Sequence, residues 1–261
     1  MSKTLLIVSG GEGAALAAQH ARALGHTVVV SDSDPQAPAF AFADSCLIAD
    51  AHGAVETAAA AERYSRKIRR IDGVLCLADY VLAAAMVSDR LRLPGLPLHV
   101  AELASDRLAI RKAFLSAGVT APWHAEISTP QELQRVMIAR GKAVAIMPVE
   151  NMGAHGRQMM AQAEDAAAAF HAAREASPSQ RVMVEQWLEE PRLELACWIQ
   201  DGACQMDADS NAKDMASRAA SALGISEGPL TLQIAAQQVT GIAARVSGEA
   251  LLDKAIASAL G

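Results

Sequence analysis

Leu5-Leu6-Ile7-Val8-Ser9-Gly10-Gly11-Glu12-Gly13 decides how the chain begins: an apolar run breaks into serine and glycines, and an alanine-rich stretch follows from Ala14 to Leu24. A run that short, closed by turn residues, is a strand buried on both faces, and the glycines give a tight strand-to-helix turn. Gly25 stops the helix and Thr27–Val30 supplies a second, β-branched strand. The alternation continues outward with Ser45–Ala49 as a strand, Val55–Arg70 as a helix, Gly73–Leu77 as a strand and Tyr80–Arg90 as a helix. Strands alternating with helices predict a doubly wound parallel sheet, here with a strand order near 2-1-3-4.

The glycines after the first strand do not complete a dinucleotide fingerprint. Gly11 and Gly13 have the right spacing and Asp32 ends the second strand, but Leu16 occupies the third glycine position. Composition narrows the chemistry further. Of 261 residues 57 are alanine and only 3% are aromatic, so the core is built from small and aliphatic side chains packed closely on a sheet. The net charge of −6 argues against nucleic acid as a partner. The basic run Arg63, Arg66, Lys67, Arg69 and Arg70 suits a solvated helix C-terminus. Four cysteines lack CxxC spacing, three of them in apolar strand-like runs, and no apolar stretch is long enough to span a membrane. The N-terminal run is too short for a signal peptide, and a cytoplasmic location is expected.

Leu93-Pro94-Gly95-Leu96-Pro97 breaks the periodicity and divides the chain into residues 1–97 and 98–261, the second part with lobes of about 98–180 and 181–261. A helix is expected around Ser105–Ala117. Another begins at Thr129-Pro130-Gln131-Glu132, where Thr caps, Pro takes the first turn and Glu completes a capping box. Ala143–Met147, Val182–Val184 and Leu193–Ile199 read as strands and Ala163–Ala176 as a helix. Ala208–Leu223 is helical, Leu230–Ala235 and Val239–Ala243 form a hairpin, and Leu251–Leu260 closes as a helix.

The order of parts in this second region carries a resemblance. Its pieces are Ser105-Asp106-Arg107, then Phe114-Leu115-Ser116-Ala117-Gly118-Val119-Thr120-Ala121-Pro122, then Ala145-Ile146-Met147-Pro148-Val149. There follow Glu150-Asn151-Met152-Gly153-Ala154-His155-Gly156-Arg157, Val182-Met183-Val184-Glu185-Gln186-Trp187-Leu188, and Asp201-Gly202. In that order they resemble the ATP-grasp superfamily, of the carbamoyl-phosphate-synthase-like or carboxylate–amine ligase type. The first hundred residues are similar to the α/β domain that precedes the grasp in that family. The resemblance implies an N-terminal doubly wound parallel α/β domain followed by a shortened α+β ATP-grasp-like region. It also implies a ligase that uses Mg-ATP to make an acylphosphate from a carboxylate and captures it with an amine.

Within that resemblance, Arg107 stands for the first cation, Gly153 and Gly156 for the glycines of the phosphate lid, and His155 for its tip. Glu185, Gln186 and Leu188 stand for the adenine strand, and Arg245 for the catalytic arginine. The departures fall around the phosphates. Met147 occupies the position of a Lys or Arg, where a charge ~4 Å from a phosphate contributes on the order of 4 kcal/mol at an effective dielectric near 20. Lys142 lies in the wrong part of the strand to replace it. Gln233, Gly241 and Ala243 fall where two Mg-binding glutamates and an asparagine belong, which leaves no carboxylate to hold the ion. Asp207, Asp209 and Asp214 fit a solvated loop and helix start. ATP is therefore expected to bind weakly and Mg²⁺ not at all. The expected function is non-catalytic binding of a small-molecule metabolite or a partner subunit, with a homo-oligomer allowed. The alternative is an active carboxylate–amine ligase with an unusual or partner-completed site.

Overall fold

The computed structural model describes residues 2–150, 157–189, 192–206, 210–246 and 249–261. Two compact units emerge, each discontinuous in sequence. The first comprises Met1–Glu102, Ala196–Thr231 and Ala244–Gly261, and the second Leu103–Leu195 and Leu232–Ala243. The chain leaves the first unit after Glu102 and returns to it at Ala196 and again at Ala244.

The first unit opens with β1 (Thr4–Val8), α1 (Glu12–Ala23), β2 (Thr27–Asp32), β3 (Ser45–Ile48), α2 (Ala54–Lys67), β4 (Gly73–Cys76), α3 (Val81–Leu91) and α4 (Leu98–Ala104). The four strands are parallel, as the alternation predicts, but their order is β3-β2-β1-β4 and not 2-1-3-4. Asp44 explains the correction. Its N–H donates to the Val28 carbonyl and its carboxylate accepts the Val28 N–H at 2.8 Å, which captures the outer edge of β2 just before β3 starts. The longer connection through α2 then returns the chain to the far side of β1. All five β1 residues are buried, Leu5 and Ile7 toward α1, and Leu6 and Val8 toward α2 and α3. Alanines 14, 15, 17, 18 and 21 give α1 a flat face that lies close on the sheet.

The second unit contains α5 (Arg107–Ser116), β5 (His124–Ile127), α6 (Pro130–Arg140), β6 (Val144–Pro148), β7 (Gln158–Met160), α7 (Ala166–Glu175) and β8 (Val182–Gln186). Its strands pair antiparallel in the order β5-β8-β6-β7. Thr129 caps α6, its Oγ1 accepting the Glu132 N–H at 3.1 Å, but Glu132 reaches back past the cap to accept the N–H of Ser128 at 2.9 Å instead of closing a capping box on Thr129. One sheet face, with Val144, Ile146, Val182 and Val184, packs on Leu133, Met137 and Phe170 of α6 and α7.

The chain ends with β9 (Leu193–Gln200), β10 (Ala203–Gln205), α8 (Ser210–Leu223), β11 (Gly228–Ala235), β12 (Gln238–Ala243) and α9 (Leu252–Leu260). The four strands form a sheet in the order β10-β9-β11-β12, so the expected hairpin is present as β11–β12. Trp198, Val246, Leu252, Ile256 and Leu260 join the core of the first sheet on the α1 side. That burial is what gathers the C-terminal segments into the first unit. Among the described residues no helix is long and apolar enough to cross a membrane.

Candidate functional site

In the second unit β6 is buried along its whole length, and its alternation decides which side chains face away from α6 and α7. Ala145, Met147 and Val149 point to that opposite face and pack with Met183, Leu108 and Trp187. Met147 is 2% exposed. At the position where the resemblance calls for a cation, the side chain is part of a continuous apolar patch. Arg107 opens α5 beside the same strand, its backbone N–H donating to the Val149 carbonyl at 3.0 Å. Asp106 caps that helix through Ala109 and holds Arg181 at 2.7 Å. Arg181 also donates to Glu126, and Glu150 accepts hydrogen bonds from Ser177 and Ser179, so these acids are engaged in the scaffold. Lys142, just before β6, is exposed.

The charged centre of this unit is a cluster of two arginines on one carboxylate. Glu185 is 2% exposed; its Oε2 accepts from Arg111 at 2.8 Å and its Oε1 from Arg157 at 3.2 Å. Arg111, itself 4% exposed, uses the same Nη2 to donate to the Thr240 carbonyl at 2.7 Å, while its Nε has no partner among the described residues. Arg157 and Arg192 both lie over the Trp187 ring, at 5.6 and 5.9 Å from its centre. Burial lowers the Arg157 pKa and the Arg111 charge adds to that; Glu185 opposes it. The arrangement gives a partly accessible guanidinium beside an aromatic face, backed by a buried ion pair, which suits an anionic group on a ligand.

Arg107, Met147, Glu185, Gln186 and Leu188 all belong to the second unit. Gln186 is half-buried at the end of β8, donating its N–H to the Trp123 carbonyl at 2.8 Å, and half-buried Leu188 follows the strand. Arg245 belongs to the first unit, where its Nε donates to Asp79 at 2.9 Å and its Nη1 to the Leu77 carbonyl at 3.3 Å. Gly153, His155 and Gly156 lie outside the described residues, as do Asp207 and Asp209. Asp214 sits in α8 and pairs with Arg218 at 3.7 Å. The pairing of Arg111 and Arg157 through Glu185 was missed from sequence, although Arg111 stands four residues after Arg107 on one helix, a spacing that places both on neighbouring turns.

Positions 233, 241 and 243 do not fit Mg²⁺. They offer one amide oxygen and no carboxylate, and Gln233 Oε1 lies 2.8 Å from where a Cβ on Gly241 would be, so the amide fills the space beside the glycine. No group of three His, Cys, Asp or Glu side chains among the described residues could hold a metal ion.

The sequence matches no protein-family model and no curated protein. Solved structures do match. The N5-carboxyaminoimidazole synthetase of Staphylococcus aureus complexed with ADP superposes with a TM-score of 0.75 at 15% identity, covering 100% of this chain and 78% of that one. The L-amino acid ligase of Bacillus licheniformis gives 0.73 at 17% identity over 95% of this chain and 68% of that one. The biotin carboxylase of Campylobacter jejuni, in complex with β,γ-ATP, gives 0.72 at 16% identity over 100% and 71%. Over its length the chain has a mixed α/β fold that matches a shortened ATP-grasp fold.

Proposed function

We propose that this chain is a non-catalytic ATP-grasp-fold protein that binds an anionic metabolite, or the acidic surface of a partner subunit, at Arg111 and Arg157. The observation that carries this is Met147, buried in an apolar patch where the resemblance expects a phosphate-binding cation. Phosphoryl transfer depends on positioning and charge neutralisation, and an apolar side chain contributes neither. The lack of any carboxylate at positions 233, 241 and 243 removes the means of holding Mg²⁺. The excess of arginine over carboxylate at Glu185 still attracts an anion, so weak ATP binding without turnover is consistent with this function. The net charge of −6 favours a small molecule or protein over nucleic acid.

A specific feature favours a second function. Two guanidinium groups on one carboxylate could replace the missing cation, making the chain an active ligase with a rearranged phosphate site. Titration calorimetry with ATP, with and without Mg²⁺, joined to ADP release in the presence of carboxylates and amines, separates the two. Binding that ignores Mg²⁺ and no ADP release support the non-catalytic function. Turnover on the order of 1–10³ s⁻¹ overturns it. The combination Met147→Lys, Gln233→Glu, Gly241→Glu and Ala243→Asn serves as the comparison in which activity should appear.

A further inference from the structure

The first unit holds a cavity of about 420 Å³ beside β4, within the size range of small-molecule sites. Cys76 of β4, Ala84 and Ala85 of α3, and Ala255 and Ala259 of α9 supply its walls, and Glu227 stands on its rim. Small side chains on two helices keep this space open, and an apolar hollow left unfilled forgoes the packing that larger residues would supply. Among the described residues none of its lining side chains is aromatic, so the site offers no ring for a base or an aromatic ligand to stack on. Glu227 is its one charged group. Trp198 Nε1 donates to Glu227 Oε1 at 2.9 Å, which fixes the carboxylate in place. Cys76 gives the cavity no nucleophile, because burial pushes its thiol up to about 11.

We propose that this cavity binds a small aliphatic ammonium compound, its hydrocarbon chain between α3 and α9 and its cationic end at Glu227. The aliphatic lining selects the chain by size, and the rim carboxylate selects the sign of the head group. The test uses the full chain with hexylammonium, hexanoate and hexanol as probes, followed by calorimetry and by the shift in melting temperature. Hexylammonium should bind about two- to fivefold more tightly than hexanoate, the discrimination expected of one solvent-exposed charge pair. Glu227→Gln should bring the three probes to within about twofold of one another. Ala84→Leu should narrow the cavity and weaken hexylammonium binding severalfold in a protein whose circular dichroism is unchanged. Ala255→Leu, on the facing wall, does the same should the first variant not fold. Equal or stronger binding of hexanoate, or full binding by a folded Ala84→Leu or Ala255→Leu protein, overturns the proposal.

Discussion

Replacing Glu185 by glutamine removes the carboxylate that faces Arg111 and Arg157 while keeping the side-chain volume. At 2.8 Å and an effective dielectric near 20, the Arg111–Glu185 attraction is about 6 kcal/mol before desolvation is counted. Both partners are buried, so the loss of one leaves a guanidinium that water cannot reach. Breaking such a pair costs about 3–5 kcal/mol. Arg157 recovers part of its solvation because 19% of its side chain is exposed, which places the expected loss near the lower bound, about 3 kcal/mol. For a chain of this length that is a fall of roughly 6–12 °C in melting temperature. Urea unfolding followed by circular dichroism, repeated at low salt and at high salt, provides the measurement. A buried pair is screened little by salt, so the loss should be nearly the same in both. The triple variant Arg111→Met, Glu185→Leu, Arg157→Met should regain most of it, since apolar groups of similar volume replace buried ion clusters at little cost. A loss below about 1 kcal/mol, or one that high salt halves, would refute the description of Glu185 as a dry, paired charge.

Three further outcomes are expected. Gly73→Ala should destabilise the first unit by about 1–3 kcal/mol or more in urea unfolding, because a Cβ there would collide with the Ala259 backbone carbonyl, which cannot rotate away. Thr129→Ala should cost about 1 kcal/mol through the lost α6 cap, with hydrogen exchange rising first at Glu132. Burial raises the Cys76 thiol from 9.0 to about 11, so the folded state holds that proton more tightly than the unfolded chain does. The stability it contributes is complete below pH 9 and lost as pH rises toward 11, by as much as about 2.7 kcal/mol, and Cys76→Ala should lack this part of the alkaline decline in a pH series of urea melts.

The sequence by itself determined the local events. The alternation of strand and helix from Leu5 to Arg90, the cap at Thr129 and the β11–β12 hairpin are each set by residues within a few positions of one another. β5, β7 and β10 are three or four residues long and carry too little apolar pattern to be distinguished from loops, and α4 lies among prolines that hide it. The order of the parts from Ser105 to Gly202 was enough to point to the fold. Only the tertiary structure decided which edge β3 would take, since Asp44 must find Val28 across a turn. The same holds for the return of Trp198 and α9 to the first sheet and for the meeting of Arg111 and Arg157 on Glu185, 74 and 28 residues away. Such pairings depend on which edges and faces remain uncovered after the local elements form, and on whether water is excluded where charges meet. Neither condition has a period or a motif that a linear sequence displays.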